Sequence, residues 1–156
     1  MKEMRRKDRQ LSEDEALAVL SEAEYGVLST VTPDGIPYGV PINYALEGRS
    51  LYMHCAGAGG QKLDNLAACP RACMTAVTGV TLHSHELSTA FRSAMAFGTV
   101  SVCEAAEAKR AGLRVLMRRL APEYNDHDPA CMADEALCRV TVLRMDIDTV
   151  TGKKHL

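Results

Sequence analysis

The sequence lacks the features that mark several large classes of protein. Its 18 lysines and arginines against 20 aspartates and glutamates leave a net charge of -2, so no overall basic field attracts nucleic acid. No apolar run reaches the roughly 18 residues of a membrane-spanning helix, and none follows the basic first residues as it would in a signal peptide. These absences predict a cytoplasmic protein that binds neither nucleic acid nor membrane.

Standard metal and catalytic motifs are also missing. None of the six cysteines forms a CxxC pair, so a zinc knuckle is not indicated and reduced thiols are expected. No GxSxG elbow occurs, and His54 and Cys55, as neighbours on a strand, would point to opposite faces and could not cooperate. His83 and His85 have no further clustered ligands, which favours a solvated loop over a metal site. The cysteines are Cys55, Cys69, Cys73, Cys103, Cys131 and Cys138.

The patterns that are present predict one domain over residues 1–156, with a basic arm at 1–11. Ser12 and Glu15 form a capping-box pattern that opens a helix over 12–23. Short strand-like runs separated by turns predict a mainly β protein, an antiparallel barrel with flanking helices. The predicted strands are 25–31, 37–46, 50–56, 72–80, 91–103, with Gly98 as a bulge or bend, and a last strand with a basic tail within 137–156. Helices are predicted after Lys62 and over 104–122, with a polar loop over 82–90 and a further loop over 123–136.

Two of these runs carry features of a binding site. Pro37 and Pro41 cannot donate ladder hydrogen bonds, so the strand over 37–46 is interrupted or lies on an edge. The loop over 57–60 is rich in glycine and runs into a helix that begins with Lys62, a cation at the positive end of the helix dipole. That arrangement is mildly unfavourable unless an anion lies nearby. The spacing fits neither GxxxxGK[ST] nor GxGxxG, so the sequence leaves open a phosphate loop of another kind or an unliganded hairpin tip.

The order of these segments resembles the pyridoxamine 5′-phosphate oxidase-related proteins, the FMN-binding split β-barrel family. The likeness is closer to its Nim-type branch, the 5-nitroimidazole-resistance proteins. The passages that carry it are MRRKDRQLSEDEALAVL, EYGVLSTVTPDGIPYGVPINYAL, LYMHCAGAGGQKLDNLAACPRACMTAV, FRSAMAFGTVSV and the final TGKK. The resemblance implies a homodimer with FMN at the subunit interface, with FAD and haem as alternative cofactors and NAD(P)H as an electron donor.

The resemblance also implies which residues hold the cofactor. One strand lays its backbone along the flavin ring, the end of the next strand and the following loop hold the ribityl chain and phosphate, and the partner chain adds a polar residue from the long strand. The first group is Gly39, Val40, Pro41, Ile42, Asn43 and Tyr44; the second is His54, Cys55, Ala56, Gln61 and Lys62; the third is Arg92 or Ser93.

Departures from the family pattern argue against a vitamin B6 oxidase. Vitamin B6 oxidases commonly show Ser-Arg-Lys where this chain has Gly60-Gln61-Lys62, so one phosphate-binding arginine is missing unless Arg5, Arg6 or Arg92 compensates. Nim-type sequences commonly carry histidine at the position of Gln61. The chain contains no tryptophan and has no counterpart of the C-terminal substrate-binding stretch of B6 oxidases.

The sequence thus predicts an FMN-dependent oxidoreductase that reduces a small, electron-poor substrate such as a 5-nitroimidazole, with no side chain compelled to act as acid or base. Two alternatives remain. One is a flavin- or haem-binding protein without turnover, in which His54, His83 or His85 is an axial ligand. The other is a barrel that has lost its cofactor and acts as an interaction module.

Overall fold

The computed structural model describes residues 3–57, 59–124 and 132–155, and within these ranges the chain is a single antiparallel sheet with flanking helices. The strands are β1 Gln10–Leu11, β2 Gly26–Val31, β3 Pro37–Ile42, β4 Tyr44–Glu47, β5 Ser50–Ala56, β6 Arg71–His83, β7 Ser88–Val102 and β8 Val140–His155. The helices are α1 Glu13–Glu22, α2 Gln61–Ala68, α3 Ala106–Leu120 and α4 Asp134–Leu137.

The sheet is curled and not closed. Its strand order is β3-β2-β6-β7-β8-β5-β4, with β1 added beside β8. The two end strands, β3 and β4, follow each other in the sequence and are separated by Asn43 alone. A sheet whose opposite ends are joined by one residue must bend round on itself, so the predicted split β-barrel is confirmed.

Helix α1 begins where the sequence predicts and for the predicted reason. The Glu15 backbone N–H donates to Ser12 Oγ over 3.2 Å, and the Ser12 backbone N–H donates to the Glu15 carboxylate over 2.7 Å. These bonds satisfy two of the otherwise unpaired donors of the first turn. Ala16, Val19 and Leu20 face the barrel interior and are fully buried.

Two apolar clusters stabilise the barrel. The larger lies between α1 and the inner face of the sheet and includes Leu28, Met53, Met74 and Met145. The smaller lies under α3, where Leu113 and Leu116 pack with Ala45, Val142 and Leu137. Helix α3 covers β4, β5 and β8, whereas no α-helix in the described part of the chain packs on the outer face of the other strands.

Several predicted boundaries need correction. Residues 82–90 are not a loop: β6 continues to His83 and β7 starts at Ser88, so the two strands form a long hairpin with a short 3-10 turn at Ser84–Glu86. The basic tail is not a tail either, since Lys153 and Lys154 lie in β8 and pair with β7. Cross-strand hydrogen bonds can order polar and basic residues that have no apolar alternation of their own.

Two other predictions are confirmed by the strand pairing. The strand over 37–46 is interrupted, at Asn43, and β3 lies on the sheet edge. Gly98 marks a bulge, because the register between β7 and β8 shifts between Phe97 and Gly98. The predicted loop after α3 falls largely outside the described residues. Among the described residues, no helix is long and apolar enough to cross a membrane.

Candidate functional site

The free edge of β3 presents backbone groups rather than side chains. The side chains of Val40 and Ile42 pack against the core, while Pro37, Gly39 and Pro41 are exposed. Within an antiparallel strand, alternate residues point their N–H and C=O groups to the same side. Because proline has no N–H and is tolerated where that side faces away from the neighbour, residues 37, 39 and 41 direct their backbone groups away from β2. This edge therefore offers three carbonyl groups and one donor, the N–H of Gly39.

The end of β5 forms a second free edge facing the same gap. β4 pairs with β5 only as far as Tyr44 opposite Met53. Beyond that point His54, Cys55 and Ala56 pair with β8 on one side and with no strand of the described chain on the other. A wedge-shaped gap therefore opens at Asn43, with β3 as one side and His54–Ala56 as the other. We call this gap the split.

The glycine-rich loop leaves the split along β8 and then turns sharply. The Gly57 N–H donates to the Arg139 carbonyl over 2.9 Å, and a Cβ at Gly57 would lie 3.2 Å from that backbone. Gly59 and Gly60 have φ of 71° and 113°, a region that other residues rarely adopt. A Cβ on either would meet nothing within 4 Å. The loop therefore needs glycine for its conformation and leaves its backbone open to approach.

Helix α2 begins at this loop without a side-chain cap, and Asp64 is the acidic residue of its first turn. Gly60 caps the helix through its carbonyl, which accepts from Leu63 and Asp64, and no side chain bonds the first turn. The N–H groups of Gln61 and Lys62 are left for other acceptors. The Lys62 ammonium has no ion-pair partner among the described residues. Backbone donors, a helix dipole and a cation converge here, as an anion site requires.

Hydrogen bonds connect α2 to β2 and, through Thr30, to β3. Gln61 Nε2 donates to Asn65 Oδ1 over 2.8 Å, and Asn65 Nδ2 donates to Thr30 Oγ1 over 3.0 Å. Thr30 Oγ1 in turn donates to the Tyr38 carbonyl over 3.4 Å. Asn65 is fully buried and Thr30 is 7% exposed. We call these four residues the polar chain; it places α2 across the wide end of the split.

Sequence reasoning missed Asn65 and Thr30. Thr30 stands in a strand-like run where its hydroxyl carries no special signal. Asn65 stands four residues after Gln61, the spacing at which helical side chains meet, and this spacing could have indicated the pair. What the sequence could not indicate is that the amide is buried against β2.

The structure brings together most of the predicted cofactor residues. Gly39, Val40, Pro41, Ile42 and Asn43 line one side of the split, His54, Cys55 and Ala56 the other, and Gln61 and Lys62 its wide end. Tyr44 contributes only its backbone at the narrow end, because its side chain is fully buried and its hydroxyl donates to the Leu20 carbonyl over 2.6 Å.

Arg92 and Ser93 lie apart from the split and on opposite faces of β7. Arg92 is opposite Thr78 and reaches the C-terminal end of α1, where its guanidinium donates to the Glu22 carboxylate over 2.6 Å. Ser93 is opposite Val77 and faces outward. Of the arginines suggested as replacements at the phosphate, Arg92 is thus paired with Glu22 and Arg6 with Asp8.

The outer sheet face next to the split carries uncharged and mostly small side chains. In the register, Pro41, Val27, Thr75, Met95 and Thr151 lie in one row across five strands. The next row consists of Gly39, Ser29, Cys73, Phe97 and Thr149. Met95 is 40% exposed. The face is continuous with the free edge of β3, and we call it the outer face.

Cys73 lies on the outer face next to the split, and His54 lies at the edge of the split. Burial raises the pKa of the Cys73 thiol, an effect that the Thr75 hydroxyl partly opposes, so this thiol stays protonated at neutral pH. His54 is exposed, and His83 and His85 lie at the far end of the β6–β7 hairpin. No group of three or more potential metal ligands occurs among the described residues.

Comparison with known proteins agrees with this geometry. The family model described as pyridoxamine 5′-phosphate oxidase matches residues 12–154. The chain belongs to this family. A search of curated proteins found no match.

Solved structures of similar proteins extend the family assignment. One, a candidate 5-nitroimidazole antibiotic resistance protein from Bacteroides thetaiotaomicron, is 28% identical, with a TM-score of 0.79 over 93% of this chain and 86% of that one. This similarity confirms the predicted likeness to the Nim-type branch. An FAD- and haem-binding protein from Mycobacterium smegmatis is also 28% identical, with a TM-score of 0.79 over 94% of this chain and 73% of that one.

A more distant similarity concerns the fold alone. The flavocytochrome Anf3 from Azotobacter vinelandii is 19% identical, with a TM-score of 0.81 over 99% of this chain and 72% of that one. The family fold therefore persists at low sequence identity, and the chemistry of this member must be argued from its own split.

Proposed function

We propose that this family member is an FMN-binding oxidoreductase whose cofactor occupies the split. The observation that carries the proposal is the anion site at the wide end, where Lys62, the first N–H groups of α2 and the open backbone of Gly59 and Gly60 meet. The free edge of β3, one donor among carbonyl groups, suits the edge of a flat heterocycle. Similarity to an FAD- and haem-binding protein supports a flavin.

Each side of the split would have its own task in holding the flavin. The Gly39 N–H and the neighbouring carbonyl groups would orient the ring, and Lys62 with the backbone N–H groups would neutralise the phosphate. His54–Ala56 would enclose the chain between ring and phosphate. A bound flavin would supply the electron or hydride transfer. Because the split is open to solvent, protons would come from water.

We further propose that two copies of the chain assemble through the outer face, so that the cofactor lies at the subunit interface. Among the described residues no α-helix covers the outer face, and its two central rows carry no charged residue. The N-terminal segment borders it, with Glu3 and Lys7 beside Phe97 and Thr149. It includes Gly39 and Pro41 of the β3 edge, so a partner seated there would border the split. Ser93, which faces outward, is then the better placed of the two residues predicted to reach the partner's cofactor.

The proposed substrate is a small, flat, electron-poor molecule such as a 5-nitroimidazole, with NAD(P)H as electron donor. Support comes from the similarity to the Bacteroides protein. A flavin exposed along one side of an open split could stack with such a ring. Steady-state oxidation of NADPH with and without a nitroimidazole tests this substrate class directly.

Haem is the second candidate because of the similarity to a protein that binds both FAD and haem. His54 is exposed at the edge of the split and is the described histidine best placed to ligate iron there. The absorption spectrum of the purified protein, before and after addition of FMN or haemin, distinguishes the candidates. Flavin bands support the first, and a Soret band supports haem. A colourless protein that binds neither would overturn both and favour an interaction module.

A further inference from the structure

The polar chain has a fixed direction. The Tyr38 carbonyl can only accept, so the Thr30 hydroxyl donates to it, over 3.4 Å, and accepts from Asn65 Nδ2. The Oδ1 atom of Asn65 is then turned toward Gln61, whose Nε2 must donate. A backbone carbonyl of β3 thereby determines the orientation of two amide side chains on α2.

Gln61 takes part in this chain as a hydrogen-bond donor. Its Nε2 donates to a fully buried partner, so releasing Gln61 toward a ligand would leave Asn65 Oδ1 unpaired inside the protein. Gln61 therefore holds the Asn65 amide in place, while the second N–H of its exposed amide remains available to a ligand. Gln61, the residue at which this chain departs from both family patterns, thus has a hydrogen-bond partner, Asn65, in its own helix.

We propose that Asn65 is a positioning residue, which sets the distance between the anion site at the start of α2 and the ring-binding edge of β3. This inference rests on the proposed function. A ligand that contacts both ends, such as FMN, depends on their relative placement. Riboflavin has the same ring and ribityl chain but no phosphate, so it depends on the β3 end alone. The polar chain would therefore select flavins that carry a phosphate.

The test is the ratio of the riboflavin and FMN dissociation constants, measured by quenching of flavin fluorescence with the full chain. The isosteric variant Thr30→Val removes the hydroxyl that orients Asn65, and Thr30→Ser keeps it. We expect Thr30→Val to lower the ratio about tenfold, mainly by weakening FMN, as when a charge-assisted hydrogen bond is lost. Thr30→Ser should keep the wild-type ratio.

A second pair of variants separates positioning from folding. Asn65→Leu removes the centre of the polar chain, while Leu66→Ala removes its buried neighbour on α2, which is 7% exposed and takes no part in the chain. Loss of stability alone would leave the ratio unchanged in both. We expect a lowered ratio in Asn65→Leu and an unchanged ratio in Leu66→Ala, measured at a temperature where circular dichroism shows both folded.

The outcomes distinguish a failure of the positioning role of Asn65 from a failure of the proposed FMN-binding function. If the wild-type protein binds neither flavin, the proposed function fails and the inference with it. If the wild type prefers FMN and the ratio survives in Thr30→Val and in any folded Asn65→Leu, Asn65 is not a positioning residue, although the FMN site stands. A fall of the ratio in Thr30→Val with rescue in Thr30→Ser supports the inference.

Discussion

At the scale of single residues, Lys62 is the side chain with the clearest conflict between stability and binding. Its charge opposes the dipole of α2 in the free protein and has no ion-pair partner among the described residues to relieve it. The same charge would stabilise a bound phosphate. A residue kept for its ligand is expected to behave in opposite ways with and without that ligand.

Lys62→Ala should therefore weaken FMN and stabilise the empty protein. We expect FMN affinity to fall by roughly 1–3 kcal/mol, riboflavin affinity to stay constant, and the free energy of unfolding without flavin to rise by a few tenths to about 1 kcal/mol. Fluorescence titration and urea denaturation measure these quantities. Unchanged FMN affinity would place the phosphate elsewhere.

Tyr44 offers a pH-dependent test of the barrel interior. Burial raises the pKa of its phenol to about 12, whereas an unfolded chain has the ordinary value near 10. The unfolded state thus loses this proton first, and stability should fall as pH rises from about 10 to about 12.

The variant Tyr44→Phe isolates this effect. It should cost about 0.5–1.5 kcal/mol at neutral pH, because the hydrogen bond to the Leu20 carbonyl is lost. Its stability should also decline less steeply than that of the wild type above pH 10. Urea denaturation at a series of pH values measures both changes, and parallel curves for the two proteins would contradict the assignment.

At the scale of elements, the end of α1 is closed by residues distant in sequence. The guanidinium of Arg119, on α3, donates to the carbonyls of Ser21 and Ala23, and the Tyr44 hydroxyl donates to that of Leu20. These bonds satisfy the carbonyl groups that a helix leaves unpaired at its C-terminal end, and they place a positive charge at the negative end of the dipole.

The two adjacent arginines of α3 give a matched comparison. Arg119→Met keeps the apolar stem but removes the bonds to α1, and should cost about 1.5–3 kcal/mol of the free energy of unfolding. Arg118→Met breaks an exposed ion pair with Glu47 and should cost less than about 1 kcal/mol. Equal losses in thermal or urea denaturation would show that Arg119 contributes only as a surface charge.

Elements with local signals were predictable, and those ordered by distant partners were not. The capping box of Ser12 and Glu15 marked the start of α1 because both of its bonds are local. The extension of β6 to His83 and the pairing of Lys153 with β7 depend on hydrogen bonds between segments far apart in sequence. The sequence of a polar stretch does not indicate which distant strand it will pair with.

The split was predictable in its residues but not in its shape. The prolines of β3 indicated a free edge, and the lysine at the start of α2 indicated an anion. Their placement around one gap depends on the end of the β4–β5 pairing at Met53, and no pattern in the sequence predicts where that pairing ends. The burial of Asn65 likewise follows from the docking of α2 on β2.

At the scale of the whole molecule, the proposed dimer can be tested on one strand. Met95 and Val102 both lie on β7 and are 40% and 46% exposed, but Met95 lies on the outer face and Val102 does not. Met95→Glu should place a charge in the interface and weaken dimerisation by roughly 3–5 kcal/mol, as for an uncompensated buried charge. Light scattering measures the mass.

Val102→Glu serves as the control and should remain dimeric. Flavin content should fall in Met95→Glu along with the mass, because the cofactor is proposed to lie at the interface. A wild-type protein that is monomeric at all concentrations, or a Met95→Glu dimer with full flavin content, would contradict this arrangement.

The position of β8 in the sheet has a consequence for biosynthesis. β8 is the one strand of the described chain that joins β7 to β5, and therefore the one that links the two halves of the sheet. Of the described strands it is also the last in chain order. The β2–β3 and β4–β5 hairpins can pair as they leave the ribosome, since their contacts are local. The two sides of the split cannot be held in place until synthesis has passed His155, so the nascent chain would acquire its flavin site only after the ribosome has finished the sheet.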